Sequence, residues 1–130
     1  MTAPASPPGS GVARAHRGLA LLFLVGGLVQ FFLAGLGAFG EGWEAHRIWG
    51  NALTLIALIL VILAFVGRRE ALQASIILLV LVIVQGLLAV IGTDVAIIGA
   101  LHPVNALFLL WVASTAMAGR RFTFPPPRPA

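Results

Sequence analysis

Two histidines stand at corresponding points of a strongly apolar chain. His46 lies in the segment WEAHRIWG and His102 in the segment LHPVNA, and a long apolar run follows each. Imidazole is the commonest metal-binding side chain, and two imidazoles on facing helices can hold one metal centre from opposite sides. The pair therefore predicts a shared ligand site. The alternative is two interfacial residues at the starts of membrane helices.

Two glutamines repeat at nearly the same spacing as the histidines. The segments VQFFLAGLG and VQGLLAVIG align at an offset of 55 residues, which pairs Gln30 with Gln85, and His46 pairs with His102 at an offset of 56. The alignment predicts two corresponding two-helix units related by a pseudo-twofold axis along the membrane normal. Such an axis would bring the two histidines together near the outer ends of helices two and four.

Small residues follow each histidine on the same helix face. Gly50 lies four residues after His46, and Ala106 lies four residues after His102. A helix face with only small side chains either lets membrane helices pack closely or leaves room for a planar macrocycle. The second reading predicts a b-type haem held by both histidines. Arg47 is then a candidate partner for a haem propionate, with an ordinary interfacial anchor as the alternative.

The chain has no cysteine, which excludes disulfides, thiolate metal sites and covalently attached haem. Gln30 and Gln85 either hydrogen-bond across the bundle or line a pocket, where they would orient a histidine or contact a quinone. No catalytic residue is assigned, and whether the chain is an enzyme stays open. The candidate cofactor-binding residues are His46, His102, Arg47, Gln30 and Gln85, with His46 and His102 as the metal ligands.

The composition is that of a membrane protein. Of the 130 residues, 60% are hydrophobic and only 9% are charged, and the mean hydropathy is +1.06. These values predict an all-α integral membrane four-helix bundle over residues 18–118, between disordered tails at 1–17 and 119–130. Four apolar stretches are each long enough to span a bilayer: Gly18–Phe39, Ile48–Val66, Ala71–Ile91 and Val95–Ala118.

The basic residues are all arginine and are distributed unevenly. Two precede the first stretch, two lie in the second connection and three follow the fourth stretch, whereas the first and third connections carry Glu41, Glu44 and Asp94, with Arg47 as the only base there. The positive-inside rule therefore predicts a multi-pass protein of the plasma (inner) membrane with both termini in the cytoplasm. The net charge of +4 then reflects contact with anionic lipid headgroups, and no nucleic-acid partner is expected. His16 lies among these arginines and is predicted to be interfacial.

The segments QFFLAGLGAFG, AHRIWG and LHPVNA resemble a family of small, functionally uncharacterised bacterial four-helix membrane proteins. The segment EAHR, together with His102 and the number of helices, is also similar to one half of haem A synthase. That enzyme consists of two four-helix haem-binding bundles, and the resemblance implies that His46 and His102 are axial ligands. This chain departs from it in having one bundle, and an acid two residues before the histidine rather than three.

The leading functional prediction is a small membrane protein that binds b-type haem between helices two and four, for electron transfer or redox sensing. A quinone or a redox protein is then the expected partner, within a lipid bilayer. The alternative is a non-enzymatic structural or accessory subunit without a cofactor, in which the histidines and glutamines only pack and anchor the helices.

Overall fold

The computed structural model describes residues 10–120, and this part of the chain is a bundle of four helices without strands. A π-helical turn at Gly37–Glu41 follows the first helix, and a 3-10 turn at Arg69–Ala71 precedes the third. All four helices are long and apolar enough to cross a membrane. The prediction of an all-α, multi-pass membrane fold is therefore confirmed. The helices are α1 (Ser10–Leu36), α2 (Glu44–Gly67), α3 (Leu72–Ile91) and α4 (Ala96–Ala118).

The first helix begins earlier than the apolar pattern predicts. It starts at Ser10 rather than Gly18, so residues 10–17, predicted as part of a disordered tail, are helical. The reason is tertiary, because His16 on this added segment is buried against the bundle. The remaining parts of the predicted tails, at 1–9 and 121–130, lie outside the described residues.

Each helix packs against two neighbours, in the cyclic order α1, α2, α3, α4. Consequently α2 and α4 face each other diagonally across the bundle. Small residues at the buried positions let the helices approach closely, as is usual in membranes. Several of the buried residues are separated by 55 or 56 positions: Ala20 and Phe23 on α1 from Ser75 and Leu78 on α3, and Leu53, Ala57 and Leu60 on α2 from Leu109, Ala113 and Ala116 on α4.

A glycine allows a close approach at each of the two turns that join the helices of a hairpin. A Cβ on Gly37 would lie 2.7 Å from the Trp43 ring, and a Cβ on Gly92 would lie 2.5 Å from the Cα of Gly99. No side chain fits at either point. The two turns therefore close tightly, and they bring the end of α1 beside the start of α2, and the end of α3 beside the start of α4.

The arginine distribution makes the orientation of this bundle testable. We expect reporter fusions at positions 68 and 124 to read cytoplasmic and a fusion near position 42 to read external. Arginines cluster near positions 68 and 124, and the positive-inside rule places such clusters in the cytoplasm. Paired alkaline phosphatase and fluorescent-protein fusions would measure this. A cytoplasmic signal at position 42 would reverse the orientation.

Candidate cofactor site

The imidazole rings of His46 and His102 meet inside one end of the bundle. Their centroids are 6.1 Å apart and their planes are inclined by 52°. His46 is the third residue of α2, whereas α4 begins at Ala96 and so carries His102 almost two turns inside. Pro103 therefore lies inside α4, beyond its first turn. The paired-histidine end is the name used below for this end, where the α1–α2 and α3–α4 turns lie.

Each of these imidazoles is fixed by a backbone carbonyl of the preceding helix. The Nδ1 atom of His46 lies 3.2 Å from the Gln30 carbonyl oxygen, and that of His102 lies 3.1 Å from the Gln85 carbonyl oxygen. A carbonyl oxygen can only accept a hydrogen bond, so Nδ1 must carry the proton in both rings. In the neutral rings the Nε2 atoms then hold the free lone pairs, which are what a metal requires.

The glutamine side chains bond within their own hairpins rather than to each other. The Gln30 Nε2 group donates to the His46 carbonyl at 3.1 Å, whereas the Gln85 Oε1 atom accepts from Asn105 Nδ2 at 2.7 Å. A direct bond between the two amides across the bundle, one of the two predicted alternatives, is therefore absent among residues 10–120, whereas both glutamines line a cavity, as the other alternative has it. The Gln30 Oε1 atom is buried without a hydrogen-bond partner among the described residues.

A cavity of about 390 Å³ surrounds the two rings and is lined from all four helices. Its walls carry Gly27, Gly50, Ala89 and Ala106, so the small faces predicted from the sequence do border open space. A Cβ on Gly50 would lie 3.0 Å from Gln30 Nε2, and glycine here leaves that amide in place. Arg47 is exposed and also lines the cavity, which puts this residue at the rim.

Two further side chains, which were not predicted to do so, each join the two helices of one hairpin at this end. The Trp49 indole donates to the Gly26 carbonyl at 2.9 Å, and Asn105 Nδ2 donates to the Leu81 carbonyl at 2.9 Å. The donors of the two bonds are 56 residues apart and the acceptors 55, as are the histidines and the glutamines, but that spacing does not by itself predict a hydrogen bond.

A double-mutant cycle on Gln85 and Asn105 tests the observed network. Because the two amides are bonded at 2.7 Å, Gln85→Leu and Asn105→Leu should couple by about 0.5–1.5 kcal/mol in the free energy of unfolding in micelles. Gln30→Leu combined with Gln85→Leu should be additive within about 0.5 kcal/mol. Coupling in the second pair and not in the first would contradict the arrangement.

A second polar cluster lies at the opposite end of the bundle, around Arg68. Arg68 is only 1% exposed; its Nη1 donates to His16 Nδ1 at 2.9 Å and its Nη2 to the Met117 carbonyl at 2.9 Å. His16 Nε2 in turn lies 3.0 Å from Ser75 Oγ. The prediction that His16 is interfacial is therefore wrong, because the ring is fully buried.

The charges at this end are only partly balanced. Arg68 Nε lies 3.3 Å from the exposed Glu70 carboxylate. Burial and the nearby Arg17 lower the pKa of the Arg68 guanidinium, and Glu70 partly offsets this. Because a guanidinium can only donate hydrogen bonds, His16 Nδ1 must be the acceptor and the Nε2 hydrogen points to Ser75. His16 is thus a neutral packing residue of the bundle.

The comparisons with known proteins identify the family but not the activity. Residues 30–94, half of the chain, match a family of unknown function, DUF6220, and the chain belongs to this family. No curated protein gives a significant match. No solved structure gives one either, so the likeness to haem A synthase stays a prediction. Within residues 10–120 no cluster of three or more His, Cys, Asp or Glu could hold a metal ion.

Proposed function

We propose that this member of the DUF6220 family is a membrane haem protein in which His46 and His102 hold one b-type haem. The observation that carries the proposal is the pair of imidazoles, which meet with centroids 6.1 Å apart and are both fixed through Nδ1. The proposed setting is the plasma membrane, with the paired-histidine end toward the outer face. The proposed role is electron transfer or redox sensing.

The ring spacing fits two imidazoles on one iron. A bond from a metal to an imidazole nitrogen is about 2.0–2.1 Å, and the ring centroid lies roughly 1 Å beyond the nitrogen. Two coaxial imidazoles on one ion are therefore expected to have centroids about 6 Å apart. The observed 6.1 Å agrees with this value. Backbone carbonyls supply the second hydrogen bonds that hold such ligands in one tautomer.

The surroundings of the rings also fit a macrocycle. The cavity of about 390 Å³ falls within the range of roughly 300–1,000 Å³ that small-molecule and cofactor sites occupy. Its walls are mostly apolar, with glycine and alanine beside both histidines. Arg47 lies exposed at the rim, where a guanidinium can pair with a carboxylate by charge-assisted hydrogen bonds.

A bound haem would supply one-electron exchange, and the chain would supply the ligands and a mostly apolar binding site. His46 and His102 would donate their Nε2 lone pairs, the Gln30 and Gln85 carbonyls would hold the rings in place, and Arg47 would neutralise a propionate. Two neutral imidazole ligands leave no open coordination position for substrate. The proposal therefore favours electron transfer or sensing over oxygen chemistry, with a quinone or a redox protein as the partner.

The test is the absorption spectrum of the purified, detergent-solubilised protein, made with ample haem supply. A low-spin, six-coordinate haem with sharp absorption bands in the reduced state is expected. Colourless protein that is folded by circular dichroism would contradict the proposal and favour the accessory-subunit alternative.

A further inference from the structure

A groove of about 480 Å³ lies beside the start of α3, at the end of the bundle opposite the paired histidines. We propose that this groove binds one anionic glycerophospholipid, whose phosphate contacts Arg69 and Gln73 and whose acyl chains run along α3. The proposal does not depend on the haem, which would lie at the other end of the bundle. The groove is lined by Arg69, Glu70, Leu72, Gln73, Ile76 and Ile77.

The lining of the groove changes from polar to apolar along α3. Arg69 and Gln73 are both exposed, and they lie where the chain enters the helix. Ile76 and Ile77 lie about one turn further along, within the apolar run, and Ile76 is 46% exposed. A ligand that fills this groove therefore needs hydrogen-bond acceptors at one end and hydrocarbon at the other. A membrane lipid has this arrangement of atoms.

The Arg69 guanidinium is positioned by an aromatic ring but lacks an anionic partner within residues 10–120. It lies 4.2 Å from the centroid of the Phe65 ring, a contact that restricts the side chain without using a hydrogen-bond acceptor. The one ion pair in this part of the chain joins Arg68 to Glu70. A guanidinium carries five donors in a planar fork that matches the oxygens of a phosphate. Arg69 can therefore bind a phosphate that reaches the groove.

The charges around the groove favour a headgroup with a net negative charge. Arg68 lies directly before Arg69 in the sequence, and Arg17 is close enough to lower the pKa of the Arg68 guanidinium. Glu70 is the one acid among the lining residues, and its carboxylate is already paired with Arg68 at 3.3 Å. This pairing weakens its attraction for the ammonium group of a zwitterionic lipid. Basic sites beside membrane helices bind anionic lipid headgroups for the same electrostatic reason.

Competition between two lipids, followed by native mass spectrometry, tests the site. The full-length protein in detergent is incubated with equal amounts of phosphatidylglycerol and phosphatidylcholine that carry the same acyl chains, so that the lipids differ only in the headgroup. The first lipid to bind should be phosphatidylglycerol about fivefold more often, which is the preference that one arginine beside the headgroup supplies. Equal binding of the two lipids would overturn the proposal.

Arg69→Gln should reduce this preference to below about twofold. The matched control is Arg14→Gln, because Arg14 is an exposed arginine of the same end on α1, which lies diagonally across the bundle from α3. This control should keep the preference near fivefold. Equal reductions in the two variants would show a diffuse attraction of the whole basic end instead of a site in the groove.

A soluble headgroup separates a lipid site from a site for free phosphate. Glycerol phosphate carries the phosphate without acyl chains, so it should not displace phosphatidylglycerol at concentrations comparable to that of the lipid. Displacement at such concentrations would mean that the groove recognises phosphate alone, and the lipid assignment would be wrong. Retained binding of phosphatidylglycerol, combined with its loss of preference in Arg69→Gln, is the result expected for the proposed lipid site.

Discussion

Replacing His46 or His102 with alanine is expected to abolish the low-spin, six-coordinate haem spectrum. Each ring would supply one of two axial bonds, so loss of either leaves at most a five-coordinate iron. We expect the sharp reduced bands to disappear in both variants, with haem content per protein reduced about tenfold or more. That reduction is typical when a ligand or its supporting bond is lost from a metal site. The measurement is the reduced absorption spectrum at equal protein concentration.

Two controls separate ligation from folding. His16→Ala removes the third histidine, which lies buried at the far end beside Arg68; this variant should be less stable but should keep the spectrum. Added imidazole should restore the six-coordinate spectrum in His46→Gly, because the free ligand can enter the space left by the ring. Retention of the wild-type spectrum by both alanine variants would show that neither histidine binds the iron.

The fold follows from the sequence because each helix is recognisable by itself. An apolar run of about 20 residues needs no partner to be identified as a membrane helix, and α3 and α4 begin within one residue of their predicted starts, with predicted ends that match. The shared offset predicted that His46 and His102 come together, and their ring centroids do lie 6.1 Å apart. Their positions within the helices differ, because His46 lies in the first turn of α2 and His102 almost two turns inside α4.

What the sequence could not supply is the partner of each polar side chain. Gln30 and Gln85 occupy corresponding positions, yet the first donates to the His46 carbonyl and the second accepts from Asn105. The difference arises because Asn105 corresponds to Trp49, and no pattern of spacing predicts which amide an asparagine will reach. The positive-inside rule likewise assigned Arg68 to the cytoplasmic surface. Arg68 is nevertheless buried, because its guanidinium bonds to His16 on α1 and to the Met117 carbonyl on α4.

Arg68 joins elements that are distant in the sequence. It follows α2 directly, and it donates hydrogen bonds to His16 on α1 and to the Met117 carbonyl near the end of α4. Gly119, which ends α4 in the left-handed conformation with φ of 67°, has no Cβ to contact the guanidinium. The planar fork of arginine can serve several acceptors at once, whereas the single ammonium of lysine cannot do so with the same geometry.

Arg68→Met is therefore expected to be the most destabilising single substitution at this end, by roughly 3 kcal/mol, because it leaves the buried His16 nitrogen and the part-buried Met117 carbonyl without donors. Arg68→Lys should recover part of the loss. The control is Arg69→Met, since Arg69 is exposed and its guanidinium lies 4.2 Å from the centroid of the Phe65 ring, a contact worth about 0.5–1 kcal/mol. Detergent-micelle unfolding followed by tryptophan fluorescence measures all three variants. Equal losses for Arg68→Met and Arg69→Met would mean that the buried hydrogen bonds of Arg68 contribute nothing beyond an ordinary surface contact.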